Sequence, residues 1–205
     1  TGLVATLLVF WITYRLEGKQ KTAEFDRLSD HLAQVAETNF YFPLEVFHSL
    51  PPFFESSEEV TRNEFQTFVV GAVDRHRSIF SFQWIPCVPL DQREQVVRQA
   101  RADGITNFEI LEYLDNGGLE VSGERPFYMP VLFECHDRLN SGIDLTTDAA
   151  RADAIERALT SGEIAMSGRL TLTTEAGNEA GVALYCPIKE SDAIDQVSHC
   201  RGIVA

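Results

Sequence analysis

LTTDAARADAIERALTSGEIAMSGRLTLTT, residues 145–174, changes hydrophobic period once, and that change sets the fold class. Thr147 or Asp148 is a helix N-cap, Ile155 and Leu159 lie four apart on one helical face, and Gly162 supplies the stop. Ala165 to Thr173 then reads as a strand. Just upstream, SGIDL (141–145) places Asp144 between two core-type residues, Ile143 and Leu145. A carboxylate there has two readings. It is a turn or cap residue, or it is the polar anchor of a ligand pocket.

The same mixture extends on both sides. Thr61 with Glu64 forms a capping box, and Phe65, Phe68, Val69 and Ala72 give the following helix one apolar face. Ile79 to Pro86 reads as a strand, with Trp84 as core alternating with Phe82. Asp91 and Glu94 open a helix through Val96, Val97 and Ala100 that stops at Asp103-Gly104. Phe108 to Leu114, the DNGG turn (115–118) and Phe127 to Glu134 continue the strands. Gly181 to Ile188 and Cys200 to Ala205 complete them. Helices come first, then mainly antiparallel strands with helices inserted, which makes the class α+β.

The first 60 residues have another character. Leu3 to Tyr14 is apolar and turns charged at Arg15, so residues 1–15 read as the end of a transmembrane helix, with Trp11 and Tyr14 at the interface. Phe25, Leu28, Leu32, Val35, Asn39, Phe42 and Val46 repeat in steps of three and four, a heptad seam with Asn39 at a buried position. Residues 16–57 are therefore expected to be a long stalk helix and linker, with LPPFFESSEE (50–59) as the linker and Pro43 weakening the helix before it. The seam fits a dimerising signalling helix or an amphipathic helix packed on its own domain. Residues 58–205 form the main domain.

The formal net charge of −14 repels phosphate and argues against a nucleic-acid partner. No nucleophile elbow, P-loop, dinucleotide fingerprint or zinc-protease motif is present, and the five histidines are scattered. These residues are thus not expected to form an enzyme, nor to hold a metal or cofactor. Four cysteines, Cys87, Cys135, Cys186 and Cys200, match no zinc or CxxC spacing. In an oxidising compartment Cys186 and Cys200, on two late strands, could pair; the alternative is free buried thiols.

Eight stretches, in order, resemble a CHASE domain, the extracytoplasmic sensor module of cyclases and histidine kinases. They are FQTFV (65–69), FQWIPCVP (82–89) with Arg93, ADGITNFEI (102–110), RPFYMPVLF (125–133), SGIDL (141–145), ARADAIERALTSGEIAMSGRLTL (150–172), AGVALYCPI (180–188) and RGIVA (201–205). The resemblance implies a stalk helix followed by a PAS-like antiparallel sheet with flanking helices, held outside the membrane as a homodimer. It implies a small-molecule ligand, adenine-like in the cytokinin receptors of this family. By the same matching, Asp144 is the ligand-bonding carboxylate, Met166 an apolar pocket residue, and Tyr185 and Phe108 pocket-lining strand positions. This sequence departs from the family at Cys87, at Met166-Ser167 and at Glu134-Cys135-His136.

The expected function is extracytoplasmic ligand sensing for a membrane-bound histidine kinase. A cyclase output is one alternative and a tethered interaction module without a ligand is another; an extracytoplasmic hydrolase is a third, weaker one. The stalk makes its own prediction. Asn39→Leu strengthens self-association in analytical ultracentrifugation and blurs the register; unchanged association removes Asn39 from the seam.

Overall fold

The computed structural model describes residues 27–31, 33–35, 41, 44–54, 56–57, 60–76, 78–114, 117–135, 140–174, 177–189 and 200–205. The expected membrane segment, and Phe25, Leu32, Asn39, Phe42 and Pro43 of the stalk, lie outside these residues. Among the described residues no helix is long and apolar enough to cross a membrane. The chain divides into two compact units, Thr1–Glu45 and Val46–Ala205. In the first, residues 27–31 and 33–35 are helical, and Leu28 and Val35, seven apart, are both exposed.

The second unit is built on a five-stranded antiparallel sheet. Its strands are β1 (Gln83–Pro86), β6 (Phe133–Glu134), β7 (Ala165–Met166), β10 (Leu184–Lys189) and β11 (Cys200–Val204), in the spatial order β6-β1-β11-β10-β7. Trp84 pairs with both Val204 and Phe133, Ile85 with Ile203, Cys186 with Val204, and Tyr185 with Ala165. Alternation along each strand sends these residues to opposite faces. Trp84, Val204, Cys186 and Phe133 share one face; Ile85, Ile203, Tyr185 and Ala165 share the other.

Aromatic side chains cover the first face. Residues 46–54 are helical (α1), and Phe47, Leu50 and Phe54 recur at helical spacing and are buried. Phe54 packs on Trp84 at 4.3 Å between ring centroids, and Phe47 on Phe82 at 5.4 Å. The expectation of a linker at 50–59 fails in its first half. Pro51 and Pro52 disfavour a helix interior, but burying Leu50 and Phe54 outweighs them. Next comes α2 (Arg62–Arg75), with the expected capping box: the Thr61 hydroxyl accepts from the Glu64 N–H, and the Glu64 carboxylate accepts from the Thr61 N–H at 2.9 Å. Phe65, Val69 and Ala72 are buried. Phe68 is not; it stacks on Phe53 at 4.4 Å near the surface.

The second face holds α4 (Ala149–Ser161), whose Ala154, Ile155 and Ala158 join Ile85, Ile203, Tyr185, Met129, Val131, Ile143 and Leu145 in one core. Asp148, not Thr147, caps α4 by accepting from the Ala150 N–H at 2.9 Å, and Gly162 closes it at φ 70°. A smaller core of Val88, Val97, Ala100, Phe108, Ile110 and Tyr128 lies under α3 (Arg93–Ala102). Hairpins β3–β4 (Leu111–Tyr113, Leu119–Val121) and β8–β9 (Leu170–Thr174, Gly177–Gly181), with the pair β2–β5 (Val88–Pro89, Phe127–Tyr128), complete the strands.

Several expected strands are cut shorter because their partners change along the way. Phe127 to Glu134 pairs first with β2, then Met129 and Val131 bond residues 143 and 145, and only then does β6 join β1. Ala165 to Thr173 divides between the sheet and the β8–β9 hairpin, and Gly181 belongs to that hairpin rather than to β10.

The β10–β11 register also settles the cysteines. Cys186 lies opposite Val204 and Cys200 opposite Lys189, so the two expected disulfide partners are not paired; all four thiols are free. Burial pushes the Cys186 and Cys200 thiols up to about 11.

Phe54→Ala should cost about 3–5 kcal/mol, read by chemical denaturation, because it empties a site walled by Trp84 and Phe65. A loss under about 1 kcal/mol would show that α1 is not docked on the sheet in solution.

Candidate functional site

SGIDL runs from a turn at Ser141 and Gly142, through single bridges from Ile143 to Leu111 and from Asp144 to Pro130, into a 3-10 turn at Leu145. The Gly142 N–H donates to the Val131 carbonyl at 2.8 Å, and its own carbonyl accepts from the Leu111 N–H at 2.8 Å. Gly142 sits at φ 87°, and a Cβ there would fall 2.0 Å from the Glu109 carbonyl oxygen. Only glycine fits such a position. The Asp144 N–H donates to the Leu111 carbonyl at 2.8 Å, which locks the next residue into the interior.

The Asp144 carboxylate is fully buried, and its two oxygens do different things. Oδ1 accepts from the Met129 N–H (3.2 Å), the Thr146 N–H (3.0 Å) and the Thr146 hydroxyl (2.7 Å). That oxygen performs the turn and cap role, holding the 3-10 turn Leu145–Thr147 that leads into α4. Oδ2 is buried with no hydrogen-bond partner among the described residues. The Arg125 guanidinium stands 3.6 Å from it, an ion-pair distance too long for a hydrogen bond.

Arg125 is itself shared. It bonds the Glu112 carboxylate, which also accepts from the Gly123 N–H. The Tyr128 hydroxyl accepts from the Arg125 N–H and from Arg93 Nη1, and donates to the Gly123 carbonyl. Both guanidinium groups lie over the Tyr128 ring, at 5.0 Å for Arg93 and 5.9 Å for Arg125. One cation thus faces two carboxylates, and the buried Asp144 has the weaker share.

Asp144 is one of three buried groups with an unpartnered polar atom among the described residues; the others are Glu134, at Oε2 on β6, and Tyr185, whose hydroxyl has only Arg151 near it as a donor. Burial pushes its phenol well above the ordinary range. The Arg151 charge pulls it back, and the Asp148 charge raises it again. Arg151 and Asp148 form an ion pair at the start of α4. Tyr185 belongs to the same core as Ile143, Leu145 and Met129, the residues around Asp144.

The other two expected site residues are placed elsewhere. Phe108 is packed in the smaller core under α3 and reaches this region only behind Gly142. Met166 is 48% exposed, because the strand register turns its neighbour Ala165, not Met166, to the Tyr185 side. Arg125, Glu112, Arg151 and Asp148 were not singled out as site residues. RPFYMPVLF does carry Arg125, and a cation two residues from a buried strand was the available signal.

No curated protein matches the chain. A family model described as CHASE domain matches residues 58–205, which takes in every element from α2 to β11. The chain belongs to the CHASE domain family, the extracellular sensory domains of receptors such as histidine kinases and cyclases.

Proposed function

We propose that the domain senses a small molecule that donates an N–H to Asp144, and that it does so for a membrane-bound histidine kinase. The observation that carries the reading is Asp144 Oδ2, a buried carboxylate oxygen without a hydrogen-bond donor among the described residues. Leaving such an atom unpaired costs about 1–3 kcal/mol or more, and a ligand N–H recovers it. A ligand without the donor leaves the penalty in place, which makes the contact selective. Adenine derivatives supply planar rings with N–H groups and suit the apolar surroundings of Met129, Leu145 and Tyr185.

Tyr185 offers a second polar contact, while Met166, exposed on the other face of β7, gives the pocket no support. Phe108 acts behind Gly142, fixing the segment that presents Asp144. The exposed Leu28 and Val35, one heptad apart, support a homodimeric stalk that carries the signal to the membrane. The PAS-like reading draws on a five-stranded antiparallel sheet with helices on both faces. A tethered interaction module is the second reading, favoured by the solid packing around Phe108.

Two measurements test this. In a thermal-shift titration with N6-substituted adenines, ligand at about 100 times its Kd adds about 2.7 kcal/mol to the wild type. Asp144→Ala abolishes the shift. No wild-type shift, with Asp144→Ala strongly destabilised by itself, would leave Asp144 a turn residue and favour the interaction module. Gly142→Ala should cost about 2 kcal/mol or more through its left-handed backbone and the Glu109 clash, and should weaken binding in parallel. Unchanged stability and affinity would show that the segment does not set the Asp144 position.

A further inference from the structure

A cavity of about 210 Å³ lies on the opposite face of the sheet from Tyr185 and α4. Phe54 at the end of α1, Val60, Trp84 of β1, and Leu132 and Phe133 at β6 form its apolar wall. The other wall is α3, which brings two ridges to it. Val96 and Ala100, four apart, form an apolar ridge; Gln95, Gln99 and Asp103, each four apart, form a polar one. The Gln99 carboxamide already donates to the Asp103 carboxylate at 3.2 Å, which fixes that acid at the edge of the opening.

We propose that this cavity is a second binding site, for a small aromatic ammonium compound. The volume equals about seven liquid waters, enough for one ring with a short arm and too little for a larger ligand. A ring enters against the narrow accessible edges of Trp84 and Phe133, beside Val96 and Leu132. The ammonium group then reaches Asp103 and the two glutamines. The lining itself holds one carboxylate, Asp103, and one guanidinium, Arg201, which bonds the Phe54 and Ser57 carbonyls; the chain's net charge of −14 then favours a cation at the Asp103 side of the mouth.

The site has a structural consequence. Arg201 of β11 also lines the cavity, and its Nη1 donates to the carbonyls of Phe54 (2.9 Å) and Ser57 (3.1 Å). It holds the last turn of α1 against the sheet, where a cation suits the helix C-terminus. An occupant therefore leans on α1 and on the residue that fastens it.

The test is a thermal-shift and Trp-fluorescence titration of the 205-residue chain with benzylamine, taken to tens of millimolar. The wild type shows a saturable rise in Tm and a change in emission. Val96→Trp, which fills the cavity from α3, removes both. Asp103→Asn weakens the apparent Kd about threefold, in the range of a partly exposed ion pair. Gln99→Trp, on the exposed ridge, replaces Val96→Trp if circular dichroism shows that variant misfolded. No wild-type response, or a response that survives whichever filled variant is folded, overturns the proposal.

Discussion

A carboxylate taken wholly out of water governs the interior of this domain. Burying a charge is costly unless hydrogen bonds replace its hydration. Asp144 meets the cost on one side only, by gathering three donors onto Oδ1 from two separate segments. Those bonds tie the β5–β6 connection to the 3-10 turn before α4, and so fix where α4 begins. The other oxygen has only a distant cation, shared with Glu112. The turn role thus falls to one oxygen of this side chain, and the other is left for the anchor role proposed above.

The sheet separates the core around this carboxylate from an aromatic layer. On the α4 side the core is aliphatic, apart from Met129 and Tyr185; on the α1 side, Phe47, Phe54, Phe65, Phe82, Trp84 and Phe133 pack together. Rings bury much area for few rotatable bonds, so a short α1 can be held firmly by three residues. Gly202 shows how closely the layer is fitted. A Cβ there would come within 2.7 Å of the Trp84 ring and 2.5 Å of the Ile85 carbonyl. Trp84 needs no ligand to account for its place.

The helices were legible because their signals are local. The Thr61-Glu64 capping box and the Gly162 stop are set by residues within one turn. Strand ends were less legible, since a ladder ends where its partner changes, and partners such as residues 143–145 for Met129 and Val131 are distant in sequence. The same limit applies to the site. Asp144 could be singled out from its setting in SGIDL. Which way Met166 faces depends on pairing with Leu184 and could not be read along the chain. Arg125 gains its significance only once Glu112 and Asp144 are brought to it. Phe108 was expected on a pocket-lining strand, but Asn107 at φ 62° ends a turn there, and Phe108 drops into the core under α3.

A ligand on the α4 side can affect α1 only through the sheet, and β10 offers the shortest covalent route. Tyr185 points toward α4, while its neighbour Cys186 points the other way and lies with its thiol 3.9 Å from the Phe47 carbonyl. On the proposed reading, a shift of β10 at Tyr185 would also move the surface on which α1 rests. β11 runs beside β10 and carries Arg201, which fastens the end of α1. Such a connection transmits nothing if both positions of α1 bind the ligand equally well. On the reading proposed above, a signal would require a ligand at Asp144 and Tyr185 to be bound better in one position of β10 than in the other. Among the described residues Asp144 Oδ2 meets only the distant Arg125 cation, and the Tyr185 hydroxyl only Arg151, so both oxygens keep bonding capacity that the proposed ligand would use.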